Sequence, residues 1–249
     1  MGCWYLAHSF DERAWVDDEL VPELKKRGVE ILNPFKNRVW LEELKYIDRG
    51  DPRYAQIIQS IPKETPGKIV QRDLDNIKKC DGLIVYVKNI RFGAAMETFY
   101  NSFVLGRGRS RTLVVLHEEI DSGEKETFEI FGRVIETYGD GPEDEAQKIS
   151  EALAEPGAEY RDATLPEAFE KIKEYDGLAV ELDGPNAEKA MKIFYNSSYL
   201  GRGREKTIIY LKGDGRKFKE HPWMKYLGTV VATEKDLEDA TRKLNILRE

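Results

Sequence analysis

One segment of this chain occurs twice, and that repeat constrains the fold more than any other feature. Residues 80–116 return as residues 175–211 without a gap, and 17 of the 37 aligned positions are identical. Both copies keep the string Phe-Tyr-Asn-Ser and, a few residues later, Leu-Gly-Arg-Gly-Arg. A match of this length predicts two copies of one structural unit in the same chain.

Predicted strands alternate with predicted helices. Short apolar runs bounded by Gly, Pro or Asn indicate buried strands, and segments with apolar residues at helical spacing separate them. This alternation favours a mainly parallel sheet with helices on both faces. We expect an α/β fold of the doubly wound, Rossmann-like or flavodoxin-like type, followed by a degenerate partial repeat. Strands are predicted over residues 4–7, 29–32, 82–87, 112–116 and 133–137, and helices over residues 12–27, 68–78, 94–105 and 143–155.

The second copy is shorter than the first. Nothing after residue 160 matches the opening strand, the turn at residues 8–11 or the irregular insertion over residues 36–66. A stretch of that length without regular structure is often a binding loop. We therefore divide the chain into a first unit, residues 1–158, with the elements of a pocket, and a degenerate second unit, residues 159–249.

Glu97 is the first candidate for a functional residue, because the two copies differ there in charge. Its counterpart is Lys192, although the residues around it are retained. The predicted helix places Glu97 in its first turn, where free amide groups and the helix dipole favour an ionised carboxylate. Lysine is unfavourable in a first turn, which argues against a purely helix-stabilising role. Gly93 and Ala94 carry little side-chain bulk, so a ligand can approach the backbone closely.

Composition narrows the possible functions. The net charge of -7 and the pI near 5.3 argue against a protein that mainly binds nucleic acid. We find no run of about 18 apolar residues and no charged-then-apolar leader, so neither a membrane span nor export is expected. Two cysteines suggest no disulfide framework, which favours a reducing cytoplasm. The three histidines are scattered without ligand spacing, so we predict no metal and no cofactor.

Taken together, these segments resemble the nucleoside 2-deoxyribosyltransferase family, which includes the related 2′-deoxynucleoside 5′-phosphate N-hydrolases. The resemblance covers roughly residues 4–155, and Toll/interleukin-1 receptor type NAD hydrolases are similar at a greater distance. It rests on three strings: Tyr5-Leu-Ala-His-Ser-Phe10, Asp73-Leu-x-x-Ile77 ahead of Asp81-Gly-Leu-Ile-Val85, and Gly93-Ala-Ala-Met-Glu97.

The resemblance implies a nucleophilic role for Glu97. In that family the glutamate attacks C1′ of the sugar, releases the base and forms a glycosyl-enzyme ester, which water or a second base then resolves. It also implies that Asp73 orients the nucleophile or reaches the sugar hydroxyls. The turn after the first strand would contact base or phosphate, at the carboxyl edge of the sheet. The side chain of Tyr5 is expected either to line the pocket or to belong to the apolar core. The candidate substrate-binding residues are Tyr5, His8, Ser9, Phe10, Arg91, Gly93 and Ala94.

Arg91 departs from the family pattern. At this position, six residues before the glutamate, the transferases carry an aspartate for the sugar 5′-hydroxyl and the hydrolases carry a serine for the phosphate. A guanidinium forms charge-assisted hydrogen bonds with a phosphate. Arg91 therefore favours nucleotides over nucleosides as substrates, and its alternative is a solvent-facing loop residue.

The two Gly-Arg-Gly-Arg strings are interpreted as helix ends rather than as phosphate loops. Each follows a predicted helix, whereas anions bind at helix N-termini. We expect Gly106 and Gly201 to cap helices and the arginines after them to contact terminal carbonyls.

The leading hypothesis is cleavage or transfer of an N-glycosidic bond in a nucleoside or nucleoside 5′-monophosphate. A nucleotide-binding sensor without turnover and an NAD-cleaving enzyme are the alternatives. Members of the family form dimers through helices near the glutamate. The second unit is therefore expected to supply that surface as an intramolecular pseudo-dimer, with a further homodimer left open. The implied partner is a small molecule rather than nucleic acid or a membrane.

Overall fold

Two sheets form the centre of the protein. The computed structural model describes residues 2–35, 47, 51–60, 65–155, 165–242 and 246–248. Its strands are β1 (Cys3–Ala7), β2 (Glu30–Leu32), β3 (Gly82–Val87), β4 (Thr112–Leu116), β5 (Arg133–Glu136), β6 (Gly177–Leu182), β7 (Thr207–Leu211), β8 (Thr229–Val231) and β9 (Ile246–Arg248). The first sheet has the order β2-β1-β3-β4-β5 and the second β8-β7-β6-β9. All described pairings are parallel, which confirms the doubly wound α/β fold.

Helices connect the strands of both units. Prolines stand in the first turn of several of them, where the missing amide hydrogen has no partner to lose. The helices of the first unit are Arg13–Trp15, Val21–Lys26, Pro52–Ser60, Pro66–Lys79 (the Asp73 helix), Phe92–Phe99 (the Glu97 helix), Ser122–Phe131 and Pro142–Ala154. Those of the second unit are Glu167–Ile172, Ala187–Phe194 (the Lys192 helix), Pro222–Leu227 and Glu234–Thr241.

The last strand, β9, takes the place that β1 holds in the first unit. Trp4 of β1 lies opposite Gly82 of β3, and Ile246 of β9 lies opposite Gly177 of β6. Gly82 and Gly177 are equivalent in the repeat, so β1 and β9 are equivalent in space. The prediction that the second unit lacks the opening strand is therefore wrong. The strand is present, but it comes from the end of the chain rather than from its beginning.

The two units share one apolar core. The Glu97 helix packs against the Lys192 helix. Phe99 is buried between the units, with its ring centroid 5.6 Å from that of Phe169 in a stacked arrangement, 6.2 Å from Phe194 and 6.0 Å from Tyr195. Aromatic pairs of this kind add roughly 0.5–1.5 kcal/mol each beyond the burial of their area. The two units therefore pack against each other through this core.

A helix of each unit also packs on a helix of the other unit. Ser122–Phe131 of the first unit packs on the Lys192 helix, and Pro222–Leu227 of the second unit packs on the Asp73 helix. Glu124 accepts hydrogen bonds from Asn186 Nδ2 and from the amide of Ala187, both at 2.7 Å. Each unit therefore contributes a helix that packs against the other unit.

The Gly-Arg-Gly-Arg strings build the same network in both units. Arg107 donates from Nη1 to the carbonyl of Ile77 and to Asn101 Oδ1, both at 2.9 Å, and from Nη2 to the carbonyl of Lys78 at 3.0 Å. The second unit repeats all three contacts, with Arg202 as donor and Ile172, Asn196 and Lys173 as acceptors. The arginines contact terminal carbonyls as predicted, although these belong to the preceding helix in the chain.

Glycines follow the ends of three helical segments. Gly28, Gly106 and Gly201 have φ angles of 76°, 64° and 66°. This left-handed backbone is strained for other residues and is the usual conformation just after a helix. The predicted cap positions of Gly106 and Gly201 are confirmed.

Two expectations fall partly on residues outside the described chain. The boundary between residues 158 and 159 lies within residues 156–164, which are not described. Of the expected insertion over residues 36–66, only residues 47, 51–60, 65 and 66 are described, and Pro52–Ser60 is a helix. Within the described ranges, no helix has the length and apolar character needed to cross a membrane.

Candidate active site

A cavity of about 380 Å³ lies at the carboxyl ends of β1 and β3. These strands are neighbours, yet the sheet continues from β1 to β2 on one side and from β3 to β4 on the other. Such a reversal of direction separates the loops above the two strands and leaves a crevice where ligands bind. Ala7 of β1 and Tyr86 of β3 line this cavity.

Two carboxyl groups and a phenol meet on its wall. Tyr5, Asp73 and Glu97 all line the cavity, and only 1%, 9% and 7% of their surfaces are exposed. Tyr5 also belongs to the apolar core, so both interpretations of that residue hold. Arg72 holds Asp73, with its Nε and Nη2 atoms 3.3 and 3.2 Å from Oδ1. Among the described residues, no group of three or more His, Cys, Asp or Glu side chains is arranged to hold a metal ion.

The surroundings of Glu97 favour its protonated form. Burial raises the pKa of Glu97 well above its ordinary value, and the negative charge of Asp73 raises it further. Burial also raises the pKa of Tyr5, with smaller contributions from Glu97 and Asp73. Two carboxyl groups that interact in this way titrate as a pair and retain one proton between them over a wide pH range. Such a pair can provide both a nucleophile and an acid.

The expected position of Glu97 in a first helical turn is wrong. The Glu97 helix begins at Phe92, so Glu97 is its sixth residue and lies beyond the free amides. Lys192 is likewise the sixth residue of its helix, and because both helices continue into a π-helical turn, neither side chain lies at a helix end. The helix starts early because Phe92 is buried, with 1% of its surface exposed, and anchors the first turn to the core. The difference between Glu97 and Lys192 at equivalent positions is therefore explained by the pocket that Glu97 lines, not by the helix dipole.

The N-terminus of the Glu97 helix faces the cavity without a side-chain cap. Arg91 occupies the N-cap position in an extended conformation and, being a cation, accepts no hydrogen bond there. Phe92, Gly93 and Ala94, which form the first turn, line the cavity. Amide hydrogens at a helix N-terminus attract anions. This end of the helix is therefore available to a negatively charged ligand group.

In the second unit the equivalent helix end is closed. Asn186 Oδ1 accepts a hydrogen bond from the amide of Lys189 at 2.8 Å. Glu124 Oε2 accepts one from the amide of Ala187 at 2.7 Å. The carboxylate of Glu124, a residue of the first unit, thus binds the helix end of the second unit. The equivalent helix end of the first unit leaves room for an anion.

Four polar atoms of the cavity residues are buried without a hydrogen-bond partner among the described residues. They are Ser9 Oγ, Tyr86 Oη, Arg91 Nε and His221 Nδ1. Buried polar atoms are nearly always paired in proteins. These atoms give the cavity polar groups that can bind a ligand. Arg91 also lies 3.5 Å from Asp11 through Nη2 and Oδ2, in a half-exposed ion pair.

The turn after β1 is held by internal contacts. His8 Nδ1 lies 3.0 Å from the carbonyl oxygen of Ser9, and Nε2 lies 3.3 Å from Asn33 Oδ1. Burial lowers the pKa of His8, so the ring is neutral near pH 7. Both His8 and Ser9 line the cavity. Phe10 begins a 3₁₀ turn, Phe10–Glu12, and its side chain lies outside the described part of the chain.

The second unit completes the wall of the cavity. The ring centroid of Phe92 lies 5.0 Å from that of Phe218 and 5.6 Å from that of His221. Gly93 lies against Trp223, because a Cβ atom on Gly93 would come within 3.2 Å of its Nε1. The second-unit residues that line the cavity are Pro185, Phe218, His221, Pro222 and Trp223.

These second-unit residues are not among the site residues that the sequence predicts. They lie in the copy that lost the glutamate, and no repeated or periodic pattern marks residues 218–223. Burial, followed by the positive charge of Arg91, lowers the pKa of His221 to about 4. His221 is therefore neutral near pH 7 and presents its ring to the cavity without adding charge.

Comparisons with protein-family models, with curated proteins and with solved structures give no match for this chain. The fold and the cavity define an α/β protein with two doubly wound parallel sheets. Its pocket is built by both units and carries buried acids on one wall and unpaired polar atoms around it.

Proposed function

We propose that the protein cleaves or transfers the N-glycosidic bond of a nucleoside 5′-monophosphate or nucleoside, with Glu97 as the nucleophile. The observation that supports this proposal is the placement of Glu97 and Asp73, both buried, on one wall of the cavity at the carboxyl edge of the sheet. A volume of about 380 Å³ lies in the range of small-molecule pockets. The likeness of the Glu97 and Asp73 strings to the nucleoside 2-deoxyribosyltransferase family points in the same direction.

The chemistry follows from the shared proton of the acid pair. The ionised carboxylate of Glu97 attacks C1′ of the sugar. The bond from C1′ to the base nitrogen breaks with its electron pair on the base, which takes the shared proton from Asp73, where it lies while Glu97 is ionised. Water, or a second base, then attacks C1′ of the glycosyl ester and releases the Glu97 carboxylate, and the proton of the attacking group returns to the pair. Arg72 keeps Asp73 in position throughout.

A 5′-phosphate suits the end of the cavity near Arg91. The guanidinium Nε, the Ser9 hydroxyl and the first amides of the Glu97 helix all offer donors there. Charge-assisted hydrogen bonds from a guanidinium to a phosphate are among the strongest in proteins. We therefore expect nucleoside 5′-monophosphates to be better substrates than free nucleosides.

The test compares the wild type with Glu97→Gln and with Lys192→Gln as the matched control. Each is incubated with nucleoside 5′-monophosphates, free nucleosides and NAD, and released base is measured by chromatography. Glu97→Gln should lower base release by a factor of about 1,000 or more, because it removes the nucleophile and nearly preserves shape. Lys192→Gln should leave the rate unchanged, because Lys192 pairs with Glu188 at 3.0 Å and does not line the cavity.

The outcomes separate the enzymatic hypotheses. Base release that survives Glu97→Gln would contradict the proposed nucleophile. Release of nicotinamide from NAD, without release of base from monophosphates, would favour NAD cleavage instead.

A nucleotide-binding sensor without turnover is the second candidate. The raised pKa of Glu97 favours it, because a protonated carboxyl is a poor nucleophile. Calorimetric binding of a nucleoside 5′-monophosphate by the wild type, without base release at any pH between 5 and 9 or so, would support the sensor and overturn the enzyme.

A further inference from the structure

The two cysteines of the chain lie against each other. Cys3 opens β1, and Cys80 follows the Asp73 helix immediately before β3. Their Sγ atoms are 3.3 Å apart. The backbone fixes this juxtaposition, because the amide of Cys3 donates to Asp81 Oδ2 at 2.9 Å and the amide of Asp81 donates to the carbonyl of Cys3 at 2.8 Å. Two cysteines in the sequence suggest no disulfide framework, but the fold brings the two thiols together.

We infer that Cys3 and Cys80 are a disulfide-forming site that a peroxide oxidises. A disulfide has a sulfur–sulfur distance of about 2.05 Å, so the two sulfurs need to approach only a little further. Side-chain rotation can provide that approach while the neighbouring strands stay paired. The inference is independent of the proposed function, since neither cysteine lines the cavity.

The order of the two steps follows from exposure. Cys3 is half-buried and Cys80 is buried, so peroxide reaches Cys3 first. The Cys3 thiolate attacks one peroxide oxygen and becomes a sulfenic acid, while hydroxide leaves. The sulfur of Cys80 then attacks the sulfur of Cys3, and the thiol proton leaves with the hydroxyl group as water. Burial raises the pKa of Cys80 to about 12, so Cys80 remains a thiol until that step and is protected from peroxide itself.

The bond would join two elements of the pocket. Cys3 lies two residues before Tyr5, and Cys80 ends the helix that carries Asp73. The covalent link would close a loop over residues 4–79 and so restrict the unfolded chain, which stabilises the folded one. Because the sulfurs already touch, we expect higher stability rather than a change in pocket shape.

The experiment uses the full chain, reduced with dithiothreitol or treated with a small excess of hydrogen peroxide. Free thiols are counted after denaturation, intact mass is recorded, and melting is followed by circular dichroism. The peroxide-treated protein should lose both thiols and two hydrogen atoms as a monomer, and its Tm should rise by roughly 5 °C or more. Reduction should reverse all three changes.

Cys3→Ser is the control, and Cys80→Ser is a second one if it folds. Neither variant should show a redox-dependent Tm shift. The inference is overturned if both thiols survive treatment, or if sulfinic acid or a disulfide-linked dimer forms instead of the internal disulfide.

Discussion

The two units share a scaffold but not a pocket. Arg107 and Asn101 make the same contacts in the first unit that Arg202 and Asn196 make in the second. The Glu97 and Lys192 helices both continue into a π-helical turn, Tyr100–Val104 and Tyr195–Tyr199. Residues that are retained in both copies therefore serve the fold. Those that differ identify where the first unit does something that the second does not.

The differences concentrate on the acids of the cavity. Lys192 replaces Glu97. Ile77 and Ile172 present equivalent carbonyls to the repeated arginines, so the position of Asp73, four residues earlier, corresponds to Ala168. Tyr5 lies opposite Leu83 in the first sheet, and Leu247 lies opposite the equivalent Leu178 in the second. All three polar groups of the pocket wall have been lost from the second unit.

The second unit also fills the space that the first leaves open. Glu188 stands at the position of Gly93, and its carboxylate lies 3.0 Å from the ammonium group of the buried Lys192. Glu124 and Asn186 close the helix end. The equivalent site of the second unit is therefore occupied by side chains of the protein itself, with Glu124 supplied by the first unit. An open, acid-lined site in the first unit is not a requirement of the fold.

The largest expected effect tests whether the first unit needs the second as a scaffold. Residues 1–158 alone should be insoluble or should lack fixed tertiary structure, because removal of residues 159–249 exposes Phe99 and the face of the Glu97 helix around it. Near-ultraviolet circular dichroism and size-exclusion chromatography are the measurements. Co-expression with residues 159–249 should restore a soluble complex. A fragment that folds alone and melts like the full chain would disprove the shared core.

The next prediction concerns the pH dependence that distinguishes Glu97 from Lys192. Because the pKa of Glu97 is raised in the folded protein, the folded state keeps a proton that the unfolded chain loses as pH rises above the usual carboxyl range. Stability should therefore fall as pH increases through that window, and Glu97→Gln should remove this part of the fall. Base release should fall above the raised pKa of Glu97, by about tenfold per pH unit, because the acid pair then loses the one proton that the leaving base takes.

Asp73→Asn sharpens this test. Loss of the neighbouring negative charge should lower the pKa of Glu97 and move the pH-dependent fall in stability to lower pH. Lys192→Gln should leave this fall in stability at the same pH. A fall that also stays at the same pH in Asp73→Asn would show that the two acids are not coupled.

A smaller effect is expected where the second unit contacts the ligand. His221→Ala should raise KM about tenfold for a nucleoside 5′-monophosphate, which corresponds to ~1.4 kcal/mol. The reason is that the His221 ring lines the cavity and its Nδ1 atom has no partner within the described chain. The change should not depend on pH between about 6 and 8, since the pKa of His221 is lowered to about 4.

Lys125→Ala is the matched control for His221→Ala. Lys125 and His221 both lie seven residues before a repeated glycine, Gly132 and Gly228, but Lys125 pairs with Glu136 away from the cavity. Equal effects of the two substitutions on KM would show that His221 does not contact the ligand. The second unit would then be supported only as a scaffold.

Sequence patterns predicted the parts of the molecule that depend on local physics. Apolar runs indicated β3 and β4, and Gly106 indicated a helix end, because burial and backbone strain act over a few residues. The pairing of β9 with β6 was missed, since contact between distant segments leaves no local pattern. The start of the Glu97 helix was missed by two residues for a related reason: packing of Phe92 in the core decides it.

Only the first-unit residues of the candidate site were predictable from the sequence. The repeat isolated Glu97, and the family resemblance indicated Tyr5, Asp73 and Arg91, all three of which line the cavity. Trp223 and His221 reach it only through the packing of one unit on the other. That packing is fixed by shape across the interface, for which a single sequence carries no periodic signal.

The smallest expected effect is the difference in stability cost between the two units when the same residue of the retained network is removed from each. Asn101 and Asn196 are fully buried, and each donates from Nδ2 to a carbonyl and to a threonine hydroxyl at 2.8–2.9 Å. Asn101→Ala and Asn196→Ala should each cost about 1–3 kcal/mol, because buried partners are left unpaired. The two costs, measured by urea unfolding, should agree within about 0.5 kcal/mol.

The double variant then tests how the units unfold. If they share one core, the two costs should add within a single transition, because the sites are separate and the units unfold together. Two resolved transitions would instead show that each unit has its own stability. Base release at a temperature where both single variants are folded supplies the contrast with Glu97, since neither asparagine lines the cavity. A much slower Asn101→Ala beside an unchanged Asn196→Ala would mean that the retained network serves the pocket as well as the fold.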